Sequence, residues 1–484
     1  MAKSPTAVYN PIAHVFVLML ENRSFDHLFG LSGLYGLQPP AASFGFKPGA
    51  PDVLTSDPPH EFDDVDKQMA GGAMTGFPQF GGAAAMQGFE AGRNPVLLQL
   101  AQTGVLMDNW YSSMPGPTWP NRFFAHAASS GGLDNSPGNL DVAQAMNSPL
   151  YSYKFQNGHV FDRLLRQGQT WRIYKGDSFP QVLALQGMVD KRLDRSYFRK
   201  FSDFKADMAA GDLAAYTFIE PAYDSLNNYA NGNSQHPLGS ISAGERLIRD
   251  TFNAIFTNDV GKNSLLLVTW DEHGGFFDRS KPPGARPPGD DQSLNHQRAA
   301  KPRNFAFDRL GPRVPALLVS PWLPSGLGSK LFPGQVFEHS SIVRSVRETF
   351  GLTAPLTQRD ASAPSWNSAY LATPRALPAL AGRLPAPAAA APVPPPQAIS
   401  PSAIASLHLA SAVDWDLAAK TGKPPLLADS FQKPLATLHQ ALADPKSSMP
   451  VARQQQVIGD YLAAVDQRER NAQKTLQRAA PTKG

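Results

Sequence analysis

The chain has 484 residues, more than one compact core usually holds, and its 42% hydrophobic and 17% charged content is that of a folding chain. Its 44 Lys and Arg stand against 40 Asp and Glu, a formal charge of +4, with the basic residues scattered rather than gathered, so no nucleic-acid surface is indicated. Cysteine is absent, which excludes disulfides, thiolate metal ligands and cysteine nucleophiles and leaves metal binding to oxygen and nitrogen donors.

The first element is the continuous apolar run HVFVLML at 14–20, the pattern of a short strand buried on both faces. It is too short to span a bilayer and lacks a signal peptide's long apolar core and cleavage site. The expectation is a cytoplasmic protein, or one exported by a route that ignores the N-terminus, or one whose leader has been removed. Directly after this strand comes ENRSFDHLFG at 21–30, where Glu21 and Asn22 can point oxygens at a hard cation or simply cap a helix start.

Residues 70–90, rich in Gly, Ala, Met and Phe, predict a long loop or insertion. Next is PGPTWPNR at 115–122, whose three prolines stiffen the chain around Thr118. They can present its hydroxyl at a helix start, where amides and the helix dipole favour phosphate; read alone, Thr118 is an N-cap. Weaker strand signals lie at 171–174 and 216–219. A helix is predicted over 241–256, with Leu247, Ile248, Phe252, Ile255 and Phe256 on one face and Ser242 with Glu245 as a capping box.

The strongest strand is SLLLVTW at 264–270, followed by Asp271, Glu272 and His273 and then Gly274 and Gly275. Three ligand-type side chains on a glycine-permitted turn suit a cation site, and an adjacent acidic pair repels itself unless a cation is near. A third strand is read at 314–320, and a helix after His339 with Ile342, Val343, Val346 and Phe350 in register and Gly351 as its stop. Strands alternating with helices imply a mostly parallel sheet covered on both faces, with ligands bound beyond the strands' carboxyl ends, where Glu21, Glu220 and Asp271 fall. Residues 377–402 have a Pro- and Ala-rich linker composition, separating residues 1–376 from a helical extension at 403–484 that carries Val457, Ile458, Tyr461, Leu462 and Val465.

The motifs ENRSFDH, PGPTWPNR and DEHGGFFD, in this order, resemble the bacterial family of non-haemolytic phospholipases C and acid phosphatases, relatives of the plant non-specific phospholipases C. The resemblance covers roughly residues 10–372 and not the C-terminal segment. It implies an alkaline-phosphatase-like three-layer α/β sandwich. It also implies a divalent metal held by Glu21, Asn22, Asp271 and Glu272 together with Thr118 as nucleophile, and His60 (DPPHEF), His236 (NSQHPLGS) and His273 around the transferred phosphoryl group. Glu338 and His339 in FEHSS resemble that family's acidic-His-Ser helix start, read as structural support first.

What the resemblance implies is in-line displacement through a phosphothreonine intermediate, a histidine such as His273 or His236 protonating the leaving alcohol. Carboxylate, carboxamide and hydroxyl oxygens favour Ca²⁺, Mg²⁺ or Mn²⁺, with Zn²⁺ admitted by the nearby histidines. The substrate is a phospholipid or a small phosphate ester. A phospholipase C needs an apolar entrance, which the 70–90 loop and the C-terminal helices could supply as a membrane-facing surface, or they pack onto the sheet. The alternatives are a broad acid phosphatase and a non-catalytic lipid-binding relative.

Overall fold

The computed structural model describes residues 10–138, 152–380, 398–444 and 446–479. Its centre is an eight-stranded sheet built from β1 (His14–Leu20), β2 (Val105–Leu106), β3 (Trp171–Lys175), β4 (Phe198–Lys200), β5 (Tyr216–Glu220), β6 (Ser264–Trp270), β7 (Ala316–Val319) and β8 (Gly326–Leu327). The spatial order is β8-β2-β7-β6-β1-β5-β3-β4. Five neighbours, β4, β3, β5, β1 and β6, run parallel, and β7 alone is antiparallel to both its neighbours. β7 is shorter than the run read from sequence because Pro315 has no N–H to give a ladder.

Every residue of β5 and β6 is buried, and so are six of seven in β1, which is possible only with both faces covered. One face meets Pro95–Thr103, Phe201–Ala210 and α2 (Ile241–Phe256), where Phe204 packs edge-on against Phe16 and Tyr174. The other meets α1 (Thr118–Ala127), Val160–Arg166 and α3 (Ser340–Thr349), where Phe161 packs on Trp171 and Tyr216. The fold is thus the expected α/β arrangement with a mostly parallel sheet between helical layers.

The helix at 241–256 has the expected span and inward face, but its cap differs. Ser240, not Ser242, is the N-cap, its Oγ accepting from Ala243 N at 3.1 Å. Ser242 instead donates to Asp52, and Glu245 Oε1 accepts from Leu97 N at 3.0 Å. Burial pushes the Glu245 carboxyl up to about 7, Leu97 and Val96 amides partly opposing. A carboxyl raised in the folded state costs stability as pH climbs from its unfolded value towards about 7, because the folded form holds the proton longer. Glu245→Gln is therefore expected to raise the melting temperature at pH 8 relative to the parent and to leave it unchanged near pH 4, a comparison read by calorimetry.

The 70–90 segment is not an open apolar loop. Met74, Phe77, Met86 and Phe89 are buried, and the short helix Phe77–Phe80 and the strand pair Lys47–Pro48 with Gln87–Gly88 organise it. The C-terminal segment forms α4 (Pro401–Thr421), α5 (Gln432–Ala443) and α6 (Val451–Ala479). Val457, Ile458, Tyr461 and Val465 join the main hydrophobic core. Arg192 pairs with Asp416 and, at 3.6 Å, with Glu469, while Ser178 Oγ donates to Asp466 at 2.8 Å. Of the two readings of these apolar residues, the named ones follow the inward-packing one. Within the Pro/Ala-rich stretch, residues 381–397 lie outside the described residues. No described helix is long and apolar enough to cross a membrane.

Candidate active site

Parallel register builds the site. Leu20 of β1 is paired with Trp270 of β6, so Glu21 and Asp271 leave the sheet side by side, and Asp271 N donates to Leu20 O at 3.2 Å. Asn22 turns sharply with φ +58°, a left-handed conformation that asparagine tolerates. Gly274, at φ +64°, lets the DEHGG turn close over it, since a Cβ there would lie 2.2 Å from Asn22 O. At Gly275, φ +72°, a Cβ would meet Pro59 O at 2.7 Å, which is how the turn reaches the loop carrying His60.

Asp271 organises the corner. Its Oδ1 accepts from Asn22 N at 3.0 Å and Glu272 N at 2.7 Å, and its Oδ2 from Arg122 Nε at 2.9 Å. Arg122 also donates to Met19 O and Leu20 O, and so clamps α1 to the end of β1. One turn earlier, Thr118 is the first residue of α1, with Pro117 as N-cap and no side-chain capping bond, so the hydroxyl is free for other work. It donates to Asn22 Oδ1 at 3.1 Å. The preceding loop is stapled by Asn121, whose Nδ2 donates to the carbonyls of Met114, Gly116 and Pro117.

Two carboxylate oxygens in this corner, Glu21 Oε2 and Glu272 Oε1, are buried and accept no hydrogen bond from a described residue. Glu272 Oε2 accepts from Gly274 N at 2.7 Å. Burial, offset by Arg122 and reinforced by Asp271, pushes Glu21 up to about 8, and burial raises Glu272 well above the carboxylate range. Glu220, the third acidic strand end, is committed elsewhere: it accepts from the amides of Gln181 and Val182 and from Tyr223 OH.

Of the three histidines, His60 and His236 meet beside Asp57, and His273 stands outside that group. His60 lies with Nε2 3.3 Å from Asn22 Nδ2 and Nδ1 2.7 Å from Pro58 O. Burial would neutralise it, but the carboxylates of Glu272, Asp57 and Glu61 outweigh that and hold its pKa up to about 10. His236 is 6.4 Å from it, ring centre to ring centre, with Nε2 3.5 Å from Asp57 Oδ2. Leu238 N donates to His236 Nδ1 at 3.4 Å, so the ring proton sits on Nε2, facing Asp57. Burial lowers the pKa of His236, so the ring is neutral.

His273 points inward. It is fully buried, its Nε2 is 2.9 Å from Gln68 Oε1, and Phe77 lies against it. His339, as expected of a support, holds the Asp271 carbonyl: its Nε2 is 2.6 Å from Asp271 O while Trp110 Nε1 donates to Nδ1.

Among the described residues, the His, Asp and Glu side chains whose ligand atoms all lie within 4.8 Å of one another are Asp57, His60 and His236, a spacing compatible with a metal site. Asp57 was not anticipated. It stands three residues before His60 in SDPPHEF and is 37% exposed at the rim, so only its spacing to the histidine signals it.

The sequence profile of the phosphoesterase family matches residues 12–353. The chain belongs to the phosphoesterase family. It is accordingly a hydrolase acting on phosphoric ester bonds. It is 31% identical over 399 residues to non-specific phospholipase C6 of Arabidopsis thaliana, covering 76% of this chain and 74% of the relative. To phospholipase C B of Mycobacterium tuberculosis it is 27% identical, covering 74% and 77%. A solved protein of the alkaline phosphatase superfamily from Vibrio parahaemolyticus matches 74% of this phosphoesterase and 72% of its own chain, at 11% identity and a TM-score of 0.35.

Proposed function

We propose that this phosphoesterase is a phospholipase C in which Thr118 Oγ1 attacks phosphorus in line. The bond from phosphorus to the glycerol oxygen breaks, diacylglycerol leaves, and water then cleaves the phosphothreonine, which until that point carries the head group. The observation that carries the reading is the Thr118 hydroxyl, freed from capping at the start of α1 and held 3.1 Å from Asn22 Oδ1 in the corner that contains the two unsatisfied carboxylate oxygens. The phospholipase C relatives support the substrate class.

Glu21, Asn22, Thr118, Asp271 and Glu272 would hold one divalent ion. Glu21 Oε2 and Glu272 Oε1 fit that role, since each is a buried carboxylate oxygen that no described donor serves and whose ionisation a cation would favour. Asp271 is the least free of the five: three donors already serve its oxygens. The oxygen set favours Ca²⁺, Mg²⁺ or Mn²⁺, and His60 and His236 admit Zn²⁺. When bound, such an ion supplies Lewis-acid stabilisation of charge on the phosphoryl group.

The chain's own residues do the rest. The first amides of α1 and its dipole favour the phosphate, and Arg122 fixes Asp271 so that Asn22 presents its oxygen to Thr118. With His273 committed to Gln68, the proton for the departing glycerol oxygen comes from His60, the cationic member of the pair beside Asp57, and the neutral His236 turns its Nε2–H to the same site. In the same reading residues 1–376 form the catalytic unit and 403–484 an extension that braces it.

One observation favours the phosphomonoesterase reading: among the described residues the large exposed hydrophobics are Tyr35 and Val336, which do not make an apolar entrance. Phosphatidylcholine vesicles and a soluble aryl phosphate separate the two. Diacylglycerol release is expected, exhaustive chelation abolishes it, and one equivalent of divalent metal restores it; turnover of the aryl phosphate alone would replace the phospholipase reading.

A further inference from the structure

Between the end of β5 and His236 the backbone enters the left-handed region at four residues other than glycine: Asp224 (φ +53°), Asn228 (+50°), Tyr229 (+63°) and Gln235 (+67°). Such conformations persist where the surroundings over-determine them, and they cluster at functional sites. Here the surroundings are the loop's own Asp224 carboxylate, which accepts from Asn227 and Asn231, and the C-terminal helices. Ser225 Oγ lies 3.4 Å from Ser406 Oγ of α4, and Gln455 of α6 donates to Leu226 O at 3.3 Å. The loop so held delivers the buried Tyr229 ring flat onto His236, with ring centres 3.6 Å apart and planes 4° from parallel.

We infer that Tyr229 is a positioning residue, stacked on His236, through which the loop braced by the C-terminal helices fixes the imidazole plane so that Nε2 faces Asp57 and the phosphoryl site. The inference rests on His236 belonging to the catalytic pair. Asp57 meets the ring at its edge and is itself 37% exposed, so it constrains position less than a full stack does. Misplacing a catalytic group by about 1 Å costs on the order of 100-fold in rate.

The test uses the full-length, metal-loaded protein and the variants Tyr229→Leu, Tyr229→Phe, Gln455→Ala, His236→Asn and the double variant Tyr229→Leu/His236→Asn. Tyr229→Leu is expected to lower kcat roughly 30- to 100-fold with KM within about threefold, whereas Tyr229→Phe, which keeps the stack, falls less than about fivefold. In the His236→Asn background the Tyr229→Leu change is expected to cost nothing further. The His236 ring protons, shifted upfield in NMR spectra by the stacked tyrosine, lose that shift in Tyr229→Leu, keep it in Tyr229→Phe and broaden in Gln455→Ala. Wild-type kcat in Tyr229→Leu, or a loss that adds in full to that of His236→Asn, overturns the positioning role alone. Near-normal activity of His236→Asn overturns the catalytic reading and this inference together. If Tyr229→Leu does not fold, unchanged His236 signals in Gln455→Ala overturn the bracing by the C-terminal helices.

Discussion

Thr118→Ala is expected to reduce turnover of every substrate by at least about 10⁴-fold while leaving the protein folded. The size follows from the role: without the hydroxyl no bond to phosphorus can form, and what remains is the electrostatic environment acting on water. Stability changes little because the side chain makes no capping bond. The hydrogen bond lost to Asn22 Oδ1 contributes roughly 1 kcal/mol, a shift of a few degrees at most for a chain of this size. Thr118→Ser keeps the nucleophile without its methyl group and is expected to retain activity within about tenfold of the parent, so the pair separates loss of chemistry from loss of packing. Steady-state kinetics on vesicles and on an aryl phosphate, beside a melting curve, reads both.

Arg122→Met should produce the largest loss of stability in the site. The guanidinium donates to Asp271 Oδ2 at 2.9 Å with both side chains buried, and it ties α1 to the carbonyls of Met19 and Leu20. Removing one partner of a buried pair leaves an uncompensated charge and costs about 3–5 kcal/mol, even where replacing the whole pair would be nearly neutral. Activity falls as well, since Asp271 Oδ1 positions the amides of Asn22 and Glu272. A divalent cation restores positive charge beside Asp271, so the variant is expected to gain more stability from added metal than the parent does. Urea denaturation with and without metal measures this. Equal metal-dependent stabilisation in the two proteins would mean that the cation does not lie near Asp271.

Much of this was readable from the chain. The runs at 14–20 and 264–270 lie at the sheet centre with the spans their continuous apolar character predicted, because a strand buried on both faces has no polar interruption to blur its ends. That Glu21 and Asp271 fall at strand ends was legible, but the pairing of the two strands that sets them side by side was not, since alternation alone does not order strands in a sheet. Thr118 was legible as the start of a helix, but not that Pro117 takes the capping position and frees the hydroxyl.

Other features were hidden for physical reasons. Strands of two or three residues, such as Val105–Leu106 and Gly326–Leu327, carry too little periodicity to register. The Ser242 and Glu245 spacing mimicked a capping box because a second serine stands two positions earlier. In the 70–90 segment, glycine content suggested an exposed loop, whereas Met74, Phe77 and Met86 form a satellite core with Val65, Met69 and Phe277. His273 shared a motif with metal-site candidates, yet the direction of its ring was decided by Gln68, a residue over 200 positions away in the chain. Asp57 and Tyr229 gain meaning only through contacts with His236 that no local pattern announces.

The central claim is that Thr118 becomes covalently bonded to phosphorus. Acid quenching of metal-loaded protein during turnover of phosphatidylcholine, followed by peptide mapping by mass spectrometry, tests it directly. A phosphocholine adduct is expected on the peptide containing Thr118 and is absent from Thr118→Ala. An active enzyme that never carries the adduct, or a Thr118→Ala variant that turns over normally, would contradict it.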